Sequence, residues 1–236
     1  SYVAGVHSHT FHLKFDDTAA DKNIGYSQMM NTPTGAQPMY GNGADDTNTD
    51  NLVFAFPGYD LEDHHHTIKG SGSAKALTIN GNTAVDTTYS RFYGSSTAFD
   101  GTGDYISNSS STSDFTMGTG DFTVECWASK SSATSHTGFW QISGTAGGLT
   151  SSSIEGTLAV GYYSSGGNTK WQWYGGGVGG SEESDQYPIT ANAWYHIAYV
   201  RSSGVAKLYI NGKAVMTRSS DTTDYQGTYV AIGGYY

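Results

Sequence analysis

From Trp194 to Arg201 apolar and aromatic side chains crowd both halves of a two-residue period, with Trp194, His196, Ala198 and Val200 on one side and Tyr195, Ile197 and Tyr199 on the other. A strand that is apolar on both faces lies inside something. Ser202-Ser203-Gly204 then carries turn chemistry and Lys207 to Ile210 repeats the strand pattern. Asn211-Gly212 supplies the two positive-φ residues of a type I′ hairpin, and Lys213 to Met216 starts a third strand. A three-strand meander is one layer, so a second sheet must cover it, and Trp194 or Tyr195 is expected among the most buried residues of this region.

The same pattern recurs upstream. Leu52 to Phe56 is a compact apolar strand stopped by Pro57-Gly58, and Lys75 to Ile79 runs into an Asn80-Gly81 turn. Arg91 to Ile106 carries Phe92, Phe99, Tyr105 and Ile106, and Phe122 to Trp127 alternates cleanly. Gly138 to Ser143, Leu158 to Tyr163 and Lys170 to Tyr174 complete the middle strands between loops of Ser and Gly. Ser1 to Phe15 alternates loosely enough for one strand, whereas Asp16 to Asp50 is turn-rich without an apolar period. The expectation is an all-β protein: a two-sheet antiparallel β-sandwich of jelly-roll type over 51–236, preceded by an irregular leader over 1–50, with no helix longer than about two turns.

Composition sharpens this. With 32 Gly against 4 Pro, and aromatic and charged residues at 14% each, the chain reads as strands and turns under a weakly charged surface. A net charge of -10 without a basic cluster excludes a nucleic-acid backbone as partner. No apolar run approaches the roughly 20 residues that a spanning helix needs, so membrane insertion is not expected. Cys126 is the single cysteine and its place in a strand suggests a small buried apolar residue.

The stretch Trp194 to Arg201, followed by Leu208-Tyr209-Ile210-Asn211-Gly212, resembles the W-x-H-[IV]-A-x-V-R and L-Y-[IV]-N-G signature of laminin-G-like, concanavalin A-like jelly rolls. Ala98 to Ile106 and Gly120 to Trp127 resemble further segments of the same family, in the expected order. The resemblance extends over roughly Asn51 to Tyr236. Relatives follow the Ala231-Ile232-Gly233-Gly234 type of segment with one more strand that returns to the first. The expected jelly roll therefore lacks its last strand here, either as a piece of a longer polypeptide or with another segment at the vacant edge.

Jelly-roll lectins take sugars on aromatic surfaces edged by amides and carboxylates. Trp171, Trp173 and Tyr174, with Tyr162, are the candidate carbohydrate-binding aromatics, and the strand period leaves open that one tryptophan fills the core. Glu125 and Trp127 oppose the Phe122, Val124 and Cys126 face and are expected on the open sheet beside Trp171 to Tyr174. Glycosidases of related shape need two carboxylates about 5 to 10 Å apart, and Glu125 is solitary on its strand, so no catalytic residue is assigned. Asp100 and Asp104, with Asp60 and Asp63 more remotely, fit either a calcium site of the laminin-G-like kind or plain Asx turns. His7 and His9, alternating on a strand, would present imidazoles to the axis of a trimer, and they and His64-His65-His66 read equally well as solvated loop histidines.

The Ser, Gly and Thr-rich loops, the acidic charge and the leader resemble laminin-G-like stretches of bacteriophage tail-fibre and structural proteins. The resemblance implies a non-enzymatic virion appendage module, on a tail fibre or capsid surface, that binds host-surface glycans as a homotrimer among other virion proteins at an extracellular location. A purely structural virion domain and a glycan-cleaving enzyme are the alternatives.

Overall fold

The computed structural model describes residues 11–14, 49–92, 94–133, 136–147, 158–165, 167–175 and 181–233. In chain order the strands are β1 (Phe11–Lys14), β2 (Leu52–Phe56), β3 (Leu77–Asn80), β4 (Ala84–Asp86), β5 (Ser96–Ala98), β6 (Tyr105–Asn108) and β7 (Phe122–Ser129). They continue as β8 (Thr137–Ser143), β9 (Leu158–Ser165), β10 (Asn168–Tyr174), β11 (Ser181–Glu183), β12 (Trp194–Ser202), β13 (Val205–Ile210), β14 (Lys213–Arg218) and β15 (Tyr229–Ile232). Among the described residues one α-helix, α1 (His65–Lys69), and two single 3-10 turns interrupt them. A six-stranded sheet runs β14-β13-β12-β7-β1-β2, a seven-stranded sheet runs β11-β10-β9-β8-β15-β6-β3, and β4-β5 form a small third sheet. This is the expected all-β sandwich.

The meander β12-β13-β14 folds as its turns require. Ser202 pairs with Val205 and Ile210 with Lys213. Each two-residue connection therefore needs positive φ twice, which Ser203 and Gly204, then Asn211 and Gly212, supply. The Asn80-Gly81 turn behaves differently. Gly81 takes a φ of 66°, but β3 pairs with β6 and β4 with β5, so no hairpin follows. A carboxylate decides this: Asp104 Oδ1 accepts the Asn82 N–H and holds the turn against the loop before β6.

Burial in β12 centres on Ile197 and Tyr199, while Trp194 and Tyr195 are only half-buried, contrary to expectation, because they lie where the strand enters the sheet. Its last core-facing residue, Arg201, is 2% exposed, and both terminal nitrogens of its guanidinium have partners while Nε has no hydrogen bond among the described residues. Its guanidinium donates to the carbonyls of Asp221 (2.6 Å), Thr223 (3.0 Å) and Gly118 (3.3 Å) and lies 3.6 Å from the Asp221 carboxylate. Tyr225 donates to Asp221 Oδ2 at 3.0 Å and meets the Tyr199 hydroxyl at 3.1 Å. Burial by itself would push the Asp221 carboxyl up, but hydrogen bonds from Thr223 and Tyr225 and the Arg201 charge more than offset it and hold the group below the usual carboxylate range.

The leader strand is part of the sandwich. β1 is paired on both sides, Leu13 opposite Phe54 of β2 and Val124 of β7. The run His64-His65-His66, which reads as loop histidines, leads into α1. Asp63 accepts the backbone N–H groups of Ala55 (3.1 Å), His65 (3.0 Å) and Lys75 (2.9 Å), and Ile68 packs on Leu52 and Ala55. A single apolar residue thus docks the turn of helix onto β2.

Candidate binding cleft

Strand parity puts one side of β10 inward and the other outward, and the inward side is the aromatic one. Trp171 and Trp173 are 0% and 1% exposed, and Tyr162 of β9 is 0% exposed. Trp173 packs edge-on against Tyr199 across the sandwich at 5.2 Å, and Tyr162 against Trp171 at 5.4 Å. The Trp173 indole N–H donates to Glu182 at 2.9 Å, and the Arg218 guanidinium lies over its ring. These three residues, expected to stack sugars, are core, because both sheets meet on this side and enclose the rings. Tyr174 points the other way. Its hydroxyl donates to Gln172, which donates to Glu183, a polar cluster on the outer face of the seven-stranded sheet.

Glu125 and Trp127 do face outward from β7, opposite Phe122 and Val124, but on the six-stranded sheet, so they do not share a surface with Tyr174. Glu125 pairs with His196 of β12 at 3.2 Å. The Trp127 ring meets the Arg91 guanidinium (4.3 Å), Phe92 edge to face (5.5 Å) and His196 (5.3 Å), and is half-buried.

The Asp100 and Asp104 oxygens serve the turn. Asp104 accepts from the N–H groups of Asn82 and Asp100, and Asp100 accepts from Thr102 N–H (2.7 Å) and Asn82 Nδ2 (3.0 Å). All four oxygens therefore meet N–H donors, the Asx-turn arrangement. Asp60, Glu62 and His64 bring ligand atoms within 4.8 Å of one another, with His64 Nε2 already 2.8 Å from Asp60 Oδ2. His65 is buried against Asp63 at 2.7 Å instead of being solvated. His7 and His9 lie outside the described residues.

Where β7 ends and β8 begins, the sandwich opens into a cleft of about 550 Å³, within the size range of small-molecule sites. Phe56, Cys126 and Phe139 form its inner part, and Trp127, Tyr89 and Trp194 bring aromatic surface to it. Lys130, His136, Asp86 and Asp100 add charge or hydrogen-bonding capacity. Tyr89 and Trp194 stack at 5.1 Å with planes 17° apart. Lys130 is 9% exposed and donates to Thr137 Oγ1, and burial pushes its ammonium down to about 8. Burial also pushes the Cys126 thiol far up, so it stays protonated. Sequence reasoning found Trp127 but missed Tyr89, which sits in an irregular turn without period. A lone aromatic among the turn residues Asp86 to Ser90 was its signal in the sequence.

A two-sheet antiparallel sandwich with an aromatic, polar-edged cleft at its rim defines a lectin-like module. The model of the concanavalin A-like lectin/glucanases superfamily matches residues 100–236, more than half of the chain, and the chain belongs to that family. No curated protein matches it. Domain 4 of an extracellular arabinanase from Geobacillus stearothermophilus, in complex with arabinotriose, is similar at 18% identity and a TM-score of 0.49, covering 75% of this chain and 79% of that one. The enzymatically active domain of bacteriophage CBA120 tailspike protein 2 is similar at 13% identity and a TM-score of 0.48, over 67% of this chain and 25% of that one, so this chain spans about a quarter of that domain. A carbohydrate-binding module from Bacillus subtilis is similar at 18% identity and a TM-score of 0.37, over 68% of this chain and 92% of that one. Likenesses this distant carry no argument about ligand.

Proposed function

We propose that this chain is a non-enzymatic glycan-binding module and that the rim cleft is its ligand site. The observation that carries the reading is the cleft itself, where exposed aromatic surface and fixed polar groups converge on a fold whose family comprises lectins and glucanases. Hydrolysis would need one carboxyl kept protonated at neutral pH beside a second that is ionised. Among the described residues lining the cleft the carboxylates are Asp86 and Asp100. Hydrogen bonds from Thr88 hold the first, and from Asn82 and Thr102 the second, below the ordinary range. Neither is poised as an acid, which supports binding over cleavage. The finer reading, a homotrimeric tail-fibre or capsid-surface module that attaches a virion to host glycans, is supported by the sequence resemblance to phage fibre stretches. It also suits a weak single site multiplied by effective concentration. A glycan array probed with the whole chain tests the binding, with specific retention of a glycan class expected, and a clean negative moves the weight to a structural role. Antibody labelling of intact virions tests the location.

A further inference from the structure

The glycan reading leaves open which sugars the cleft admits, and the groups around Tyr89 answer this. Tyr89 is 37% exposed, one of the few large apolar side chains with that much open surface among the described residues. Its inner face rests on Trp194. Its hydroxyl donates to the Asn192 carbonyl and meets Ser129 Oγ at 3.1 Å. A ring held by a second ring beneath it and by hydrogen bonds at its tip has no rotamer freedom left to lose when something stacks on it.

Of the carboxylates and the ammonium that line the cleft, the carboxylates lie open and the ammonium does not. Asp86, three residues earlier, accepts Thr88 N–H at 2.7 Å and the Thr88 hydroxyl at 2.6 Å. Asp100 is fixed by Thr102 and Asn82. These bonds come from neutral donors, so they orient the two carboxylates without neutralising them, and both groups face solvent and stay ionised at neutral pH. Lys130, by contrast, is sunk in the wall with its ammonium against Thr137. The whole chain carries -10, which adds to the negative field at the mouth.

We propose that Tyr89 is the stacking platform of the cleft and that Asp86 and Asp100 restrict it to neutral, hydroxyl-rich sugars, turning away uronates and sialylated or sulfated glycans. The proposal rests on the glycan reading. A neutral pyranose lays its C–H face on the Tyr89 ring while its hydroxyls donate to the carboxylates. An anionic sugar brings like charge to the same oxygens, a repulsive element of the kind that specificity requires.

The test is one array of neutral glycans and their sialylated, uronic and sulfated counterparts, read at low and at high salt with the whole chain and three variants. The wild type is expected to bind neutral members at least about tenfold better than acidic counterparts, a gap that narrows as salt rises. Asp86→Asn with Asp100→Asn should shrink the gap to about threefold or less while keeping the neutral hits, because asparagine still accepts hydrogen bonds but carries no charge. Tyr89→Ala should weaken neutral binding about tenfold or more, and Tyr89→Phe, which keeps the ring, should weaken it far less. Equal or better binding of acidic glycans by the wild type overturns the charge filter while leaving the glycan reading standing. A Tyr89→Ala chain that binds as the wild type overturns the platform. Binding of no glycan at all removes the glycan reading and this inference with it.

Discussion

Two sets of aromatic residues in this molecule look alike on the page and do opposite things. Trp171 and Trp173 alternate along β10 and, with Tyr162, lock the two sheets together from inside. Trp194 and Tyr89 come from a strand start and an irregular turn 105 positions apart (194 less 89) and stack at the rim, half in water. The regular pattern produced core and the irregular one produced surface. Aromatic density along a strand therefore signals a packing layer, and a ligand platform is better sought where chain segments far apart in sequence meet at an end of the sandwich.

The largest expected effect is on the inner set. Trp171→Ala or Trp173→Ala should cost about 3 to 5 kcal/mol by urea unfolding, the range for a buried aromatic truncated to alanine. A loss under about 1 kcal/mol would mean that the ring is not core, and the contrast would collapse.

Next comes the carboxylate beside the inner set. Asp221 lies below its unfolded value when folded, so its stabilisation is fully present above about pH 4 and is lost as pH falls through the folded value. Asp221→Asn should cost about 3 kcal/mol near neutral pH by breaking the buried pair with Arg201, and should flatten the acid limb of a stability-versus-pH curve. Asp86→Asn, at the rim, where Thr88 also holds the carboxyl low but in full contact with solvent, should flatten that limb much less. If both variants shift it equally, core and rim are not electrostatically distinct.

A finer cut separates the two inner tryptophans. The Trp173 N–H has Glu182 as acceptor, whereas the Trp171 N–H finds no partner among the described residues. Trp173→Phe is therefore expected to cost about 1 kcal/mol more than Trp171→Phe in chemical denaturation. The reverse order would show that packing differences outweigh that hydrogen bond. The smallest effect on stability belongs to Tyr89→Ala, about 1 kcal/mol or less from the lost stacking, with glycan retention lost all the same. A melting point that falls as far as that of Trp173→Ala would count Tyr89 as core.

Much of the fold could be read in advance. The hairpins at Ser203-Gly204 and Asn211-Gly212 form where turn chemistry placed them, and β7, β10 and β12 fall within a residue or two of their alternation. The short β11 (Ser181–Glu183), whose Ser-Glu-Glu carries no apolar signal, was invisible. So was the insertion of β1 between β2 and β7, since pairing depends on backbone groups that every sequence has.

By itself the sequence determined an antiparallel, two-faced set of strands, their turns and a negative charge, because period-two alternation and positive-φ residues act locally. Only the tertiary structure decided that the Trp171 and Trp173 side of β10 is closed, that Glu125 and Tyr174 stand on different sheets, and that Tyr89 meets Trp194 at the rim. The reason is physical: parity sorts side chains into two sets, but which set is buried depends on what the rest of the chain lays against it.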